Sequence, residues 1–247
     1  MGGCRVSVWW KGNRKESPEE CARRTLALME GLIQTDPLFS TLQTTSRKRG
    51  KYVDEPLPFD VDGLARLFSK GVNRSSVSRT VKKELGFRLM ASTPGKDYAA
   101  LDIHCGVYDS PFNSNECRLD LPSRGPDAER LVNARTVEQF MRLMVDAFEP
   151  DYGLAGEFEF KEAVMQDRQD RWERSVSWIM YFSRACGTVP PLPAPVRISP
   201  VGNRGMVIVM APEFLVASNP DHVAHGRLVR ALLKKSGVLD RPRPVTE

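Results

Sequence analysis

The chain has 247 residues, of which 41% are hydrophobic and 27% are charged, and its formal net charge is +5. This composition lies in the ordinary globular range and argues against a wholly disordered chain. No apolar run approaches the roughly 18 residues that a membrane span needs, and the first residues lack the pattern of a secretory signal. We therefore expect a cytoplasmic protein that is not held in a membrane.

The first predicted elements are a strand over residues 5–10 and a helix that begins at a capping box. Ser17 can accept a hydrogen bond from the third helical amide, and Glu20 can return one to the amide of Ser17. Pro18 suits the first helical position, where its missing N–H costs nothing. The helix should end near Asp36-Pro37, because a residue before proline is pushed out of the helical region.

The next stretch reads as a loop, a short helix and a further helical turn. Residues 43–60 are polar and basic, which favours a loop, and residues 60–70 have the spacing of a helix that ends before Gly71. Val77, Val81 and Leu85 lie four apart, which predicts a turn or two of helix.

Three strands follow, joined by short polar turns. They cover residues 87–91, 99–107 and 117–121, and the second alternates apolar with polar residues, as a strand with one wet face does. Sequential strands with short turns predict an antiparallel meander.

The rest of the chain repeats the theme less regularly. We predict a long helix over 125–149, a strand over 177–183, a proline-rich connector over 189–195, a hairpin over 196–211 and a C-terminal helix from Asn219 to Gly237. The predicted fold class is α+β, an antiparallel sheet with helices packed on one face. We expect a single domain over residues 1–247; a subdivision near residues 150–175 is the alternative.

The residues offer little chemistry. The five cysteines are odd in number, scattered and without a Cys-x-x-Cys pair, so neither a disulfide framework nor a zinc site is expected. Phosphate-binding glycine loops and catalytic serine motifs are missing. Asp102 could pair with Glu116 or Asp120 across neighbouring strands, and such a carboxylate pair can serve general acid–base catalysis. The simpler interpretation is that these are solvated acids on an exposed sheet face. We predict no catalytic residue, no metal, no cofactor and no enzymatic activity.

Charge is divided unevenly along the chain. Basic residues exceed acidic ones by seven over 47–96, and acidic residues exceed basic ones by seven over 97–226. The basic segment contains Arg47-Lys48-Arg49-Gly50-Lys51 with Arg74, Arg79, Lys82 and Lys83, which are groups that can contact phosphates. In the acidic segment, the alternation of Glu157 and Glu159 with Phe158 and Phe160 predicts a strand with one acidic face. Glu162, Asp167 and Asp170 follow it.

A series of short motifs is spread in order along the chain: Trp10, Arg14, Glu16-Ser17, Glu20-Cys21-Ala22, Leu85-Gly86-Phe87, Leu119-Asp120-Leu121-Pro122, Trp178, Tyr181-Phe182-Ser183, Leu192-Pro193-Ala194-Pro195 and Asn219-Pro220. Together they resemble the immunity protein 52 family of bacterial polymorphic-toxin systems. The resemblance implies a cytoplasmic antidote that binds a secreted toxin and protects the producing bacterium and its kin. The toxins of such systems are often restriction-endonuclease-like nucleases, delivered by a type VI or related secretion system.

An antidote of this kind needs a binding surface and no active site. A nuclease presents a basic DNA-binding cleft, which carboxylates on the antidote can match. The candidate toxin-binding residues are therefore Glu157, Glu159, Glu162, Asp167 and Asp170. No nucleic-acid partner is expected on this reading. The alternative is a nucleic-acid-binding protein that uses the basic segment 47–96.

Overall fold

The structure is a computed structural model that describes residues 3–11, 15–75, 78, 80–109, 114–170 and 172–241. Within these residues the helices are α1 (Pro18–Thr35), α2 (Val61–Lys70), α3 (Gly125–Leu131), α4 (Ala134–Phe148), α5 (Phe158–Met165) and α6 (Pro220–Lys235). The strands are β1 (Cys4–Trp10), β2 (Gln43–Lys48), β3 (Lys51–Pro56), β4 (Leu85–Ser92), β5 (Ala100–Val107), β6 (Asn115–Asp120), β7 (Tyr152–Glu157), β8 (Ile179–Ser183), β9 (Arg197–Val201) and β10 (Gly205–Val209).

The strands form one antiparallel sheet in the order β3-β2-β4-β5-β6-β1-β7-β8-β10-β9. The predicted meander is present as β4, β5 and β6, with Phe87 paired to Cys105. The predicted C-terminal hairpin is β9 and β10, with Ile198 paired to Ile208. The α+β fold class is confirmed.

The helices that the structure describes include none whose length and apolar character would let it cross a membrane.

By backbone contacts the chain groups into two compact units. One consists of Met1–Val8, Asp120–Val145 and Glu149–Glu247, and in it α5 packs on α6 and on β7. The other consists of Trp9–Leu119 and Asp146–Phe148, and in it α1 packs on α2 while α2 contacts β4. The predicted single domain, and its alternative subdivision near residues 150–175, stay predictions.

The capping box at the start of α1 is confirmed. The amide of Glu20 donates to Ser17 Oγ at 3.2 Å, and the amide of Ser17 donates to Glu20 Oε2 at 2.6 Å. The helix then buries one stripe, formed by Cys21, Ala22, Thr25, Leu28, Met29 and Leu32. It ends at Thr35, because Asp36 is extended and precedes Pro37. A local sequence signal therefore fixes both ends of this helix.

The predicted loop over residues 43–60 is wrong for residues 43–56, and residues 57–60 belong to no helix or strand. Residues 43–56 form the hairpin of β2 and β3, with Arg47 paired to Tyr52. Its turn is Arg49-Gly50, and both residues have positive φ, as the tight turn of a two-residue hairpin requires. The strands are polar on both faces, so the alternation that reveals a half-buried strand is missing.

Two other predictions also need correction. Val81 forms an isolated bridge with Arg74 and Leu85 begins β4, so the helical turn predicted there is wrong; Val77 lies outside the described residues. The helix predicted over 125–149 is two helices. The chain leaves helical geometry at Val132, Asn133 is extended and caps α4 with its side chain, and the helix resumes at Ala134.

Buried ion pairs hold the peripheral elements of the first unit. Arg230 on α6 lies 2.7 Å from Glu173, their side chains are 7% and 3% exposed, and Arg230 also pairs with Asp167. On α4, Glu138 accepts from Arg142 at 2.8 Å and from Arg197 of β9. The Arg230–Glu173 and Arg197–Glu138 pairs join residues that are 57 and 59 apart in sequence, so these two pairs position the elements that carry them. The Arg142–Glu138 pair lies within α4.

We predict that Arg230→Met destabilises the protein by about 3–5 kcal/mol, because it leaves the buried Glu173 carboxylate without its main partner. Arg227→Met is the matched control on the same helix. Arg227 is exposed, so we expect a cost of about 1 kcal/mol or less. Urea unfolding measures both, and equal losses would contradict the assigned role of Arg230.

We also predict a loss of stability in acid. Burial alone would raise the pKa of Glu138 and of Glu173, but hydrogen bonds outweigh it and lower each pKa; Arg197 and Arg142 supply them to Glu138, and Arg230 and Lys234 to Glu173. A carboxyl whose pKa is lower in the folded state than in the unfolded state stabilises the fold at pH values above its unfolded-state pKa of about 4.3. This contribution is lost as the pH falls through the folded-state pKa.

The measurement is urea unfolding at several pH values below about 5. The unfolding free energy should fall less steeply with pH in the Glu138→Gln, Glu173→Gln double variant than in the wild type. Parallel curves would show that these carboxyls do not carry the effect.

Candidate interaction surface

The acidic stretch folds as a strand end followed by a helix, so the predicted strand is wrong. β7 ends at Glu157, and α5 starts at Phe158. Phe160 and Val164 lie four apart and are buried, which is helical spacing. They pack closely on Gly226 of α6, where an added Cβ would lie 2.6 Å from Val164 and 3.0 Å from Phe160. This packing on Gly226 favours a helix over a strand. The alternation of glutamate and phenylalanine over residues 157–160 carries no information about it.

Glu157 points inward. Its residue is 8% exposed, and its Oε2 accepts from the amide of Ala217 at 2.7 Å. This bond ties the end of β7 to the segment before α6, which lies 60 residues away in sequence. Glu157 therefore has a structural role and is not presented to a partner.

Glu159 and Glu162 are exposed on α5, three residues apart. Residues at this spacing are neighbours on a helix surface. Lys161 lies beside them, 3.0 Å from Glu162. These two glutamates are the members of the predicted set that the fold displays together.

Phe158 is an exposed aromatic side chain. It is 55% exposed at the first position of α5, and Lys161 Nζ lies 4.3 Å from the centre of its ring. Large aromatics beside charged groups are typical anchors of protein interfaces. We call Phe158, Glu159 and Glu162 the α5 surface.

The two aspartates after α5 are engaged within the protein. Asp167 is exposed but pairs with Arg230, whose hydrogen bond lowers the pKa of the Asp167 carboxyl. Asp170 accepts from the amide of Trp172 at 2.9 Å. Both help to shape the segment between α5 and β8.

The Asp102 carboxylate lies between two arginines. Arg88 holds it through two hydrogen bonds of 2.9 and 2.7 Å, and Arg118 adds a third of 2.8 Å. Asp120 pairs instead with Arg5 at 2.5 Å. Arg88, Asp102 and Arg118 thus form an ion-pair ladder across β4, β5 and β6. Asp102 is buried, so the expectation of a solvated acid on an exposed sheet face is wrong for this residue.

The histidines contact backbone groups. His104 Nε2 lies 2.8 Å from the carbonyl oxygen of Leu85, His222 Nδ1 accepts from the amide of Val216 at 3.1 Å, and His225 Nε2 lies 3.1 Å from the carbonyl oxygen of Met210. Among the described residues, no cluster of three or more His, Cys, Asp or Glu side chains is arranged to hold a metal ion.

Two shallow grooves flank the start of α1. The first, of about 390 Å³, has apolar walls that include Val72, Phe87 and Tyr108; the second, of about 520 Å³, is lined by Lys15, Glu16, Glu20, Arg23 and Arg24. Glu16 is buried 2.9 Å from Arg24, and Glu20 completes the capping box. These carboxylates therefore serve to anchor and start α1.

Comparison with known proteins gives a family and a fold relative. The family model described as Immunity protein 52 matches residues 4–243. No curated protein matches the chain. Among solved structures, the Pseudomonas aeruginosa T6SS protein PA0821 superposes with a TM-score of 0.57 at 14% identity, covering 100% of this chain and 78% of that one. At this identity the likeness establishes a shared fold.

We predict that Glu157→Lys and Glu159→Lys differ sharply in stability. The first buries an unpaired charge and leaves the amide of Ala217 without its acceptor, which should cost about 2–3 kcal/mol. The second changes an exposed position and should stay within about 0.5 kcal/mol of the wild type. Urea or thermal unfolding decides, and similar values for the two would refute the assigned burial of Glu157.

Proposed function

The chain belongs to the immunity protein 52 family, and from this we propose that it neutralises one cognate secreted toxin by binding it, so that the producing bacterium and its kin survive. The family match over residues 4–243 is the observation that carries the proposal. The fold shared with a T6SS protein supports a toxin delivered by a type VI or related system. The protein acts in this role as a binding partner and not as an enzyme.

The proposed toxin is a nuclease of the restriction-endonuclease-like class, met in the cytoplasm where its substrate lies. Its phosphate-binding cleft would be basic, and carboxylates steer encounter with such a surface and select it over others. A net charge of +5 makes a whole-surface DNA mimic physically unsuitable. The match with the cleft must therefore be local.

The α5 surface is the proposed local contact. Glu159 and Glu162 supply exposed negative charge, and Phe158 supplies an apolar anchor beside them. Nanomolar binding corresponds to about −12 kcal/mol, and an interface of roughly 1,600 Å² obtains most of it from a few buried side chains. Rim charges mainly set the association rate, so the aromatic anchor should carry more of the affinity.

The second candidate function is nucleic-acid binding by the basic segment, and one observation favours it. Arg47, Arg49 and Lys51 are exposed on or beside the turn of the hairpin, and a two-stranded ribbon can enter the major groove of DNA. Arg79 lies outside the described residues. Binding to plain duplex DNA that weakens steeply with salt would support this function over toxin capture.

We predict that co-expression with the cognate toxin rescues growth and that the two proteins co-purify. Survival and pull-down measure this. A cognate toxin that kills equally well with and without the protein would refute the proposed function.

We predict that Phe158→Ala weakens toxin binding by about 2 kcal/mol, as loss of an interface anchor does. The Glu159→Lys, Glu162→Lys double variant should mainly slow association, and the effect should shrink as salt rises. Calorimetry and stopped-flow mixing measure these effects. The matched control is Glu129→Lys with Glu213→Lys, two exposed glutamates outside α5. If the control reduces binding as much as the α5 variants, the contact lies elsewhere.

A further inference from the structure

β3 is the terminal strand at one end of the sheet in the described part of the chain, and β9 is at the other end. Its partner β2 pairs with β4 at one register position, Gln43 with Ser92, so the hairpin extends beyond the rest of the sheet. Tyr52 is 78% exposed and Val53 is 39% exposed on β3. An exposed edge strand is a template for pairing with another strand.

The hairpin geometry determines which backbone groups point outward. The amide of Leu57 donates to the carbonyl of Leu42 at 2.9 Å, and hydrogen-bonded pairs recur at every second position of an antiparallel ladder. Val53 paired with Ser46 and Lys51 paired with Lys48 are therefore hydrogen-bonded pairs. The N–H and C=O groups of the intervening residues, Tyr52 and Asp54, point to the open edge.

A second copy of the same strand fits this edge in one register. When Tyr52 faces Asp54 of the copy, four backbone hydrogen bonds form, Val53 meets Val53, and Lys51 meets Glu55 twice. In the register that is centred on Asp54, this residue would face Asp54 of the copy, so like charges would be opposed. Pro56, which has no N–H, would also enter the ladder. Centring it on Tyr52 shortens the paired segment, because Arg49 and Gly50 belong to the turn.

The side chains agree with that register. Lys51, Val53 and Glu55 lie on one face of β3, because successive side chains alternate. Glu55 accepts from Ser46 Oγ at 2.7 Å, and a carboxylate has further acceptor positions for a lysine. Charged side chains usually protect an edge strand from unspecific pairing. On β3, Lys51 and Glu55 favour one partner, which is the same strand of a second copy in antiparallel orientation.

We propose that the protein self-associates through antiparallel pairing of β3 with β3 of a second copy, which joins the two sheets edge to edge. The paired segment is short, so the dimer is weak and depends on protein concentration. The proposal concerns this chain alone and holds or fails independently of any toxin.

Cross-linking tests the register. In the proposed pair the Cα atoms of the two Val53 residues lie about 4.5 Å apart, within disulfide range, while the two Lys51 residues lie about 13 Å apart. The native cysteines are buried, so the wild type supplies a low background. With oxidised glutathione as oxidant, Val53→Cys should form a covalent dimer on non-reducing gels. Lys51→Cys and Glu55→Cys alone should not, but a mixture of the two should cross-link.

Charge exchange gives a second, non-covalent readout. Lys51→Glu and Glu55→Lys should each weaken dimerisation about tenfold, because two attractive pairs become repulsive. The double exchange should restore it, which excludes a folding defect. Sedimentation up to about 1 mM protein measures the association. A chain that stays monomeric there, or Lys51→Cys cross-linking as well as Val53→Cys, would overturn the proposal.

Discussion

The burial of the Arg230 guanidinium fixes the part of the molecule that carries the α5 surface. This side chain lies between Glu173 and Asp167 and also donates to the carbonyl of Val164 at the end of α5. One residue of α6 thereby holds α5 and the segment that follows it. Close packing on Gly226 sets the distance between the two helices. A short helix of eight residues has little stability of its own, so its position depends on these tertiary contacts.

The charge excess of a sequence segment is a poor guide to the surface that the fold presents. The acidic segment 97–226 places Asp102, Glu138 and Glu173 beside arginines, and Glu157 accepts from a backbone amide. A charge that already has an internal partner offers little attraction to a second protein, because its field is largely cancelled nearby. The sign of a surface is therefore decided by the carboxylates left exposed. On α5 these are Glu159 and Glu162.

Local signals in the sequence predicted local structure well, and long-range contacts account for the failures. The capping box of Ser17 and Glu20 and the strand pattern of β5 involve neighbours within a few residues, so the helix start and the strand could be read directly. The wet face predicted for β5 is wrong, because Asp102 and Gly106 on that face are buried. The burial of Glu157 depends on Ala217, and helix α5 depends on Gly226; neither contact leaves a local trace. The hairpin of β2 and β3 was missed for the opposite reason: it buries so little that its strands show no apolar face.

An antidote that works by binding benefits from a surface that is already in place before the partner arrives. Ordering a mobile helix on binding would subtract from the affinity, since each immobilised side chain and backbone segment costs conformational entropy. Helix α5 meets this requirement, because it is fixed from beneath by Phe160 and Val164 while Phe158 stays exposed. Within the eight residues of α5, the buried positions therefore fix where the helix lies, and the exposed positions remain available for recognition.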